Sequence, residues 1–165
     1  NNMPGTVTLG SDYTGVVRCS PSGGGLYPIT LYFVAFNVKG LEKGIYTYLP
    51  LTQSIRLIRR LSDADLEEYD RISTFGINID NKTLGIAVYY VYSLYDNSRK
   101  YGDMAMQFSY IEAGEIAENI QLTATGLDLA ATDIGGYEKG PTESFLGIDG
   151  LTKHVVHLTL IGTVK

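Results

Sequence analysis

The sequence predicts an α+β fold, built as a mainly antiparallel sheet with one dominant core helix. Two β-branched and aromatic runs, residues 29–38 (ITLYFVAFNV) and 83–93 (TLGIAVYYVYS), are typical of buried strands. A third run, residues 154–164 (HVVHLTLIGTV), alternates as a strand does. The longest helical pattern covers residues 104–125 and is apolar on most faces, which is typical of a helix at the centre of a core.

The first fifty residues predict a loop followed by a hairpin. Residues 1–25 are rich in Gly, Ser, Thr and Asn, so we expect a loop there with at most a short helix or strand. A second strand is predicted at residues 45–49, and Pro50 ends it. The short spacing between residues 29–38 and this strand indicates a β-hairpin.

One helix is predicted between the hairpin and the second long strand. Residues 54–61 (SIRLIRRL) are compatible with either a strand or a helix. Ser62 followed by Asp65 is typical of a helix start with Ser62 as the N-cap, and we expect that helix to run to about Ser73.

The C-terminal half contributes short elements around the long helix. Residues 95–103 (YDNSRKYGD) are polar, and we assign them to no strand or helix. Gly126 stands where a helix usually ends. Residues 127–131 predict a short strand, residues 133–140 predict a loop, and Pro141 predicts the start of a short helix.

Length and composition bound the class of protein. A chain of 165 residues with 44% hydrophobic and 19% charged residues is expected to form one globular domain, residues 1–165. No apolar run reaches the length of about 18 residues that a membrane span needs, so we expect no membrane association. Cys19 is the only cysteine, which excludes an internal disulfide and fits a reducing compartment such as the cytoplasm. The net charge of −5 argues against nucleic acid as a partner.

The segment RCSPSGGGLYP places a glycine-rich loop directly before a predicted strand. Glycine lets a backbone approach a ligand closely and exposes its N–H groups, while Arg18, Ser20 and Ser22 add polar side chains. The loop is neither a Walker A loop, which needs a following Gly-Lys-Ser/Thr, nor a Rossmann loop, which follows its strand. It is compatible with a cradle for a flat cofactor or a phosphate, but the segment taken alone favours a plain flexible loop.

Two further segments are candidates for chemistry. The paired glycines Gly135 and Gly136 (in DIGGYE) allow a backbone amide to point at a ligand, or form a plain turn. Lys100 and Tyr101 are adjacent and can act together as an acid/base pair, or belong to a solvated basic patch before the long helix.

The sequence predicts no metal site. His154 and His157 are three residues apart on a predicted strand, so we expect them to face opposite sides of the sheet. Glu112, Glu115 and Glu118 have helical spacing but no histidine partners, so we expect a polar stripe with caps and ion pairs.

Taken in order, these segments resemble the SagB/McbC-type branch of the FMN-dependent nitroreductase superfamily. The resemblance covers roughly residues 18–165 and is most specific in PSGGGLYP and in the Gly-x-Tyr-x-Tyr block of GIYTY. It implies a nitroreductase-like α+β fold that dimerises, with FMN bound at the subunit interface. The superfamily's N-terminal Arg-x-Ser segment, which binds the FMN phosphate, has no match before Arg18. We therefore expect the chain to lack part of that segment, and Arg18 is the candidate for its role.

The resemblance also implies a set of site residues. The flavin is expected against residues 21–25, a backbone amide of Gly135 or Gly136 is expected near flavin N5, and Lys100 with Tyr101 matches the catalytic base of azoline-oxidising relatives. Lys165 is the candidate C-terminal phosphate ligand. The implied cofactor-binding residues are Arg18, Ser20, Pro21, Ser22, Gly23, Gly24, Asn119, Gly135, Gly136 and Lys165.

The activity that the resemblance implies is a two-electron oxidation of a peptide azoline, a thiazoline or oxazoline formed by a partner cyclodehydratase. The ring loses a proton to the Tyr101/Lys100 pair and a hydride to the flavin, which oxygen reoxidises. The expected assembly is a homodimer or a pair with a related subunit. Three alternatives stay open: a generic NAD(P)H-dependent nitroreductase, another FMN-dependent peptide or diketopiperazine oxidase, and a non-catalytic scaffold subunit.

Overall fold

The computed structural model describes residues 5–8, 14–73 and 83–163, with side chains described from Arg18 onward, so Lys165 lies outside the described residues. In these ranges the chain forms eight strands and four α-helices. The strands are β1 Gly5–Thr8, β2 Thr14–Val17, β3 Ile29–Ala35, β4 Gly44–Leu49, β5 Ser54–Arg60, β6 Leu84–Ser93, β7 Leu129–Asp133 and β8 Lys153–Thr163. The helices are α1 Asp63–Ile72, α2 Leu94–Tyr101, α3 Ala105–Gly126 and α4 Lys139–Leu146.

Six of the strands form one sheet in the order β5-β4-β3-β6-β8-β7, and every neighbouring pair is antiparallel. Strands β1 and β2 form a separate two-stranded antiparallel pair. The predicted α+β fold with a mainly antiparallel sheet is therefore confirmed. Among the described residues no helix is both long enough and apolar enough to cross a membrane.

Strand β6 is the centre of the core because both of its faces are buried. Tyr89 and Val91 belong to the cluster on one face of the sheet, which packs against α1 and α4. Tyr90 and Tyr92 belong to the cluster on the other face, which packs against α3. A strand covered on both faces reads as a continuous apolar run, which is why this segment could be predicted from sequence.

Helix α3 buries one face and exposes the other. Ala113 and Ala117 pack against the sheet, and their small side chains let the helix lie close to it. Ile111 and Leu122 on the outer face are 59% and 62% exposed. The expectation of a helix surrounded by core was therefore wrong for the outer face. An apolar residue contributes the same signal to the sequence pattern whether it lies on the surface or in the core.

Helix α2 is an element that the sequence did not predict. Residues 95–103 were assigned to no strand or helix because they are polar, yet Asn97 is buried and fully paired. Its side chain accepts a hydrogen bond from Tyr92 Oη at 2.9 Å and donates to Ala105 O at 3.0 Å and Ser109 Oγ at 3.1 Å. One satisfied buried amide thus ties this polar helix to β6 and α3.

The segment of ambiguous periodicity is β5, an edge strand whose side chains are all exposed. The predicted helix start after it is confirmed. The Ser62 Oγ accepts a hydrogen bond from Asp65 N at 3.3 Å, and the Asp65 carboxylate accepts one from Ser62 N at 2.8 Å. This reciprocal capping box begins α1.

Candidate active site

The last turn of α2 lies directly against the glycine loop, which we define as residues 21–25. Gly24 has a left-handed backbone (φ +63°), and a Cβ added there would lie 2.5 Å from Lys100 Nζ and closer still to Tyr101 Oη. A side chain at this position would therefore have to displace both polar groups. The structure therefore brings Gly24, Lys100 and Tyr101 together at one point.

An aromatic contact with α3 fixes the Tyr101 ring. Phe108 meets it edge-on, with ring centroids 4.9 Å apart and an interplanar angle of 76°. A Cβ added to Gly23 would lie 3.7 Å from Phe108 and 3.8 Å from Tyr101, so the loop packs on both rings. The Lys100 Nζ lies 5.3 Å from the centroid of the Tyr101 ring, within the range of a cation–π contact.

The flanks of the glycine loop are held by local hydrogen bonds. The Ser22 Oγ accepts from Tyr27 N at 2.8 Å, and Gly25 N donates to Ser22 O at 3.0 Å. The Tyr27 hydroxyl accepts from Arg18 N at 2.7 Å, and the Arg18 guanidinium carbon lies 4.3 Å from the Tyr27 ring centroid. Residues 18–27 therefore form a loop that is held together by its own contacts, and we refer to them as the 18–27 segment.

Glu112 supports this segment from α3, and sequence reasoning missed it. Its side chain is buried (3% exposed) and accepts hydrogen bonds from the Ser22 side chain and the Ile29 backbone N–H. Its Oε1 atom is buried without a hydrogen-bond partner among the described residues. Burial raises the pKa of the carboxyl to about 7, although Ser22, Ile29 and Arg18 oppose the rise. The available signal was its spacing of four residues from both Phe108 and Ile116, which places all three on one side of the helix.

Arg18 and Ser20 open on the side of the sheet that carries α3. They line a small cavity of about 60 Å³ together with Tyr48. Ser20 is buried, and Arg18 is partly buried, which lowers the pKa of its guanidinium from the usual value. A partly dehydrated guanidinium beside open space is a suitable ligand for an anionic group.

Asn119 lies away from the Lys100–Tyr101 pair. It is 11 residues beyond Phe108 on α3, a rise of roughly 16 Å along the helix axis. There it lines an apolar groove of about 500 Å³ between α3 and the sheet, and Cys19 is another lining residue. The apolar walls of the groove include Leu31, Phe33, Ile86, Val88, Ile116 and Ile120.

The second glycine pair follows β7, which runs toward the end of the sheet where the glycine loop enters β3. After β7 the chain continues alongside β8 with a bond from Ile134 N to Leu158 O at 2.9 Å, and Gly135 and Gly136 follow in an exposed loop. The strand order places this loop three strands from β3, roughly 14 Å across the sheet. A Cβ added to Gly135 would meet nothing within 4 Å, so its backbone is open to a ligand.

A polar network anchors this second loop. The Asp133 carboxylate accepts hydrogen bonds from Thr159 Oγ1 and from Gln121 Nε2, each at 2.6 Å. The Thr159 hydroxyl lies 2.8 Å from Tyr90 Oη, and His157 Nε2 lies 3.3 Å from Asp133 Oδ1. Asp133, two residues before the first of these glycines, is therefore tied to the sheet and to α3.

Among the described residues no group of three or more His, Cys, Asp or Glu side chains could hold a metal ion. The expectation that His154 and His157 face opposite sides was wrong. They pair with Tyr92 and Tyr90, which share one face of β6, because a β-bulge in the β6–β8 pair changes the register between them.

The residues that converge here fit a flat, anionic cofactor. The exposed glycine loop offers backbone without side chains, Arg18 offers a cation, and Lys100 and Tyr101 offer proton-transfer groups at the loop surface. A flavin mononucleotide combines a planar ring with a phosphate, so an exposed backbone and a nearby cation suit it.

A family model described as the nitroreductase family matches residues 14–163. The chain belongs to the nitroreductase family. A Methanocaldococcus jannaschii protein that carries the provisional name nitroreductase is 31% identical to this family member over 130 residues. That match covers 78% of the chain and 63% of the relative.

Two solved structures share the fold of this family member. One is from Anabaena variabilis, is also provisionally named a nitroreductase, and has a TM-score of 0.81 at 23% identity. The match covers 97% of this chain and 32% of the Anabaena chain. The other is a chain of the Escherichia coli microcin synthetase McbBCD complex with truncated pro-MccB17 bound. It has a TM-score of 0.77 at 23% identity and covers 94% of this chain and 57% of its own. The chain therefore spans less than two thirds of each of these relatives.

Proposed function

We propose that this chain carries the active site of an FMN-dependent oxidoreductase that oxidises peptide thiazolines or oxazolines to thiazoles or oxazoles. The observation that carries the proposal is the meeting of Lys100 and Tyr101 at Gly24. Oxidising an azoline to an aromatic ring removes a proton together with a hydride, so the reaction needs a base beside the redox cofactor. Reduction of a nitro group or a quinone needs no such base.

In the proposed reaction Tyr101 acts as its phenolate, whose oxygen takes the proton that leaves the azoline carbon and becomes the neutral hydroxyl. The Lys100 ammonium lies beside it and offsets negative charge on that oxygen. Phe108 holds the ring in place, so little reorientation is needed during proton transfer. Bound FMN would accept the hydride, and dioxygen is the proposed final acceptor of the two electrons.

The chain's own residues divide the binding of FMN between two loops. We assign the phosphate to Arg18 and Ser20, and the ring to the backbone of residues 21–25 and of Gly135 or Gly136. Asn119 would contact a cofactor or substrate only through the apolar groove, and Lys165 stays a proposed phosphate ligand.

The proposed partners are an azoline-containing peptide, a second copy or related subunit, and a cyclodehydratase. The likeness to a chain of the microcin synthetase complex supports this assignment through the shared fold. A homodimer or a pair with a related subunit would complete the FMN site at the interface.

The test is oxidation of a synthetic thiazoline peptide by FMN-loaded protein in air, followed by mass spectrometry for the loss of two hydrogens. Tyr101→Phe should keep stoichiometric FMN and lower the rate of thiazoline oxidation by roughly 100-fold, because a positioned base typically accelerates a reaction by at least that factor. Tyr95→Phe is the matched control, because Tyr95 is on the same helix and 65% exposed. Full activity of Tyr101→Phe would remove that residue from the mechanism.

Two other results would replace the proposal. Turnover of nitro compounds with NAD(P)H, without azoline oxidation, would make the protein a generic nitroreductase. Protein that stays colourless when supplied with FMN and the candidate partner subunit would make it a non-catalytic scaffold.

A further inference from the structure

We propose that Glu112 is a positioning residue that holds the 18–27 segment from beneath and competes with the anionic group of a bound cofactor for the Arg18 guanidinium. The inference rests on the proposed function for the identity of that anion, the FMN phosphate. It concerns a residue that neither touches the Lys100–Tyr101 pair nor lies in the glycine loop.

The geometry of the carboxyl supports a holding role. The Ser22 hydroxyl donates to Glu112 and accepts from Tyr27 N, so one chain of hydrogen bonds runs from α3 to the far side of the glycine loop. The Ile29 N–H also donates to Glu112, at the first residue of β3. The carboxyl therefore fixes the end of the loop where it enters the sheet.

The charges around the carboxyl explain why Glu112 and a bound anion would compete for Arg18. The groups that act on Glu112 are Arg18 from the 18–27 segment, which favours the carboxylate, and Glu115 on its own helix, which disfavours it. Tyr27 and Tyr48 are the other titratable groups that act on Arg18. Arg18 is therefore the cation that attracts both the Glu112 carboxylate and an incoming anionic group.

The Oε1 atom shows that the carboxylate form is not fully satisfied. It is buried and has no hydrogen-bond partner among the described residues, which is unfavourable for an anion. The Arg18 guanidinium attracts ionised Glu112 through space, and protonation of Glu112 removes that attraction. Because burial raises the pKa of this carboxyl to about 7, both forms are populated near neutral pH.

The test compares the affinities of FMN and riboflavin, which differ only in the phosphate. The measured quantity is the ratio of FMN affinity to riboflavin affinity. At about pH 8 this ratio should be about fivefold higher in Glu112→Gln than in the wild type, because the competing charge is gone. At about pH 6 the affinity ratios of the two proteins should become similar. Titration of the phosphate itself affects both proteins equally and cancels in the comparison. Glu118→Gln, which removes an exposed carboxylate from the same helix, should behave as the wild type.

Hydrogen exchange of the cofactor-free protein gives an independent readout. After correction for intrinsic rates, amides of residues 18–29 should be less protected at about pH 8 than at about pH 6 in the wild type, because ionisation of the buried Glu112 carboxyl opposes the closed segment. In Glu112→Gln they should be equally protected at the two pH values. An FMN-to-riboflavin ratio that is the same in wild type and Glu112→Gln would overturn the proposal while leaving the proposed function intact. Failure of the wild type to bind either flavin would instead overturn the proposed function, and the exchange data alone would then decide the role of Glu112.

Discussion

Replacing Gly24 by alanine tests the contact on which the proposed site rests. The new Cβ would occupy the space between Lys100 Nζ and Tyr101 Oη, where it lies 2.5 Å from the first and nearer to the second. Both atoms are at the ends of flexible side chains, so they can move aside. We expect the variant to fold, with the Lys100–Tyr101 pair displaced from the loop surface.

The stability cost follows mainly from the backbone. Gly24 has φ +63°, and a residue with a Cβ in the left-handed region costs about 1–2 kcal/mol. For a chain of this size that corresponds to a fall in Tm of roughly 2–8 °C. The displaced side chains add little, because their tips reach open space at the exposed loop.

Gly40→Ala is the matched control. Gly40 also has a left-handed backbone, at φ +82°, but a Cβ there would meet nothing within 4 Å. Both variants should therefore lose similar stability in a thermal unfolding experiment, whereas only Gly24→Ala should lose thiazoline oxidation, by a factor comparable to that of Tyr101→Phe. Equal oxidation rates in the two alanine variants would show that the pair does not act at Gly24, and the reasoning would fail.

Three further predictions concern stability. Ser62→Ala removes the N-cap that accepts from Asp65 N and should cost roughly 1 kcal/mol in urea unfolding, and an unchanged midpoint would show that the capping box contributes nothing. Tyr69→Phe removes the 2.7 Å hydrogen bond to Tyr89 Oη inside the core and should cost about 1–3 kcal/mol in the same assay, whereas Tyr95→Phe should not. The pKa of Glu112 is raised from 4.5 to about 7, so the native state holds a proton that the unfolded chain releases, and stability should fall by up to about 3 kcal/mol as the pH rises between those values. Glu112→Gln should remove that part of the pH dependence, and an unaltered slope would show that Glu112 does not titrate in this range.

The central strands of the six-stranded sheet were predictable because buried strands are rich in β-branched and aromatic residues, whereas the exposed edge strand β5 was ambiguous and β1 and β2 lie where a loop was expected. Residues 88–92 of β6 are all buried, and each of them is β-branched or aromatic. Helix α2 was not predictable, because its register depends on one buried amide, Asn97, whose three partners come from two other elements. A pattern that reads polarity alone assigns such a segment to the surface.

The candidate site divides in the same way. The glycine loop and the Lys100–Tyr101 pair could each be recognised from local sequence, but their contact depends on where α2 ends relative to β3. Glu112 was interpreted as part of an exposed polar stripe, because a charged residue on a helix is normally solvated. Only the closure of the 18–27 segment over α3 buries it.

Antiparallel pairing explains why a bare loop precedes the first long strand. Ile29 at the start of β3 pairs with Tyr92 near the end of β6, so the segment that enters β3 and the helix that follows β6 emerge at the same end of the sheet. Helix α2 occupies that position, and its last turn carries Lys100 and Tyr101 to the entering loop. A loop with side chains would fill this contact, as the added Cβ at Gly24 shows. The glycines therefore leave room for two functional groups of the same chain, and the backbone that they expose is the surface on which we place the cofactor.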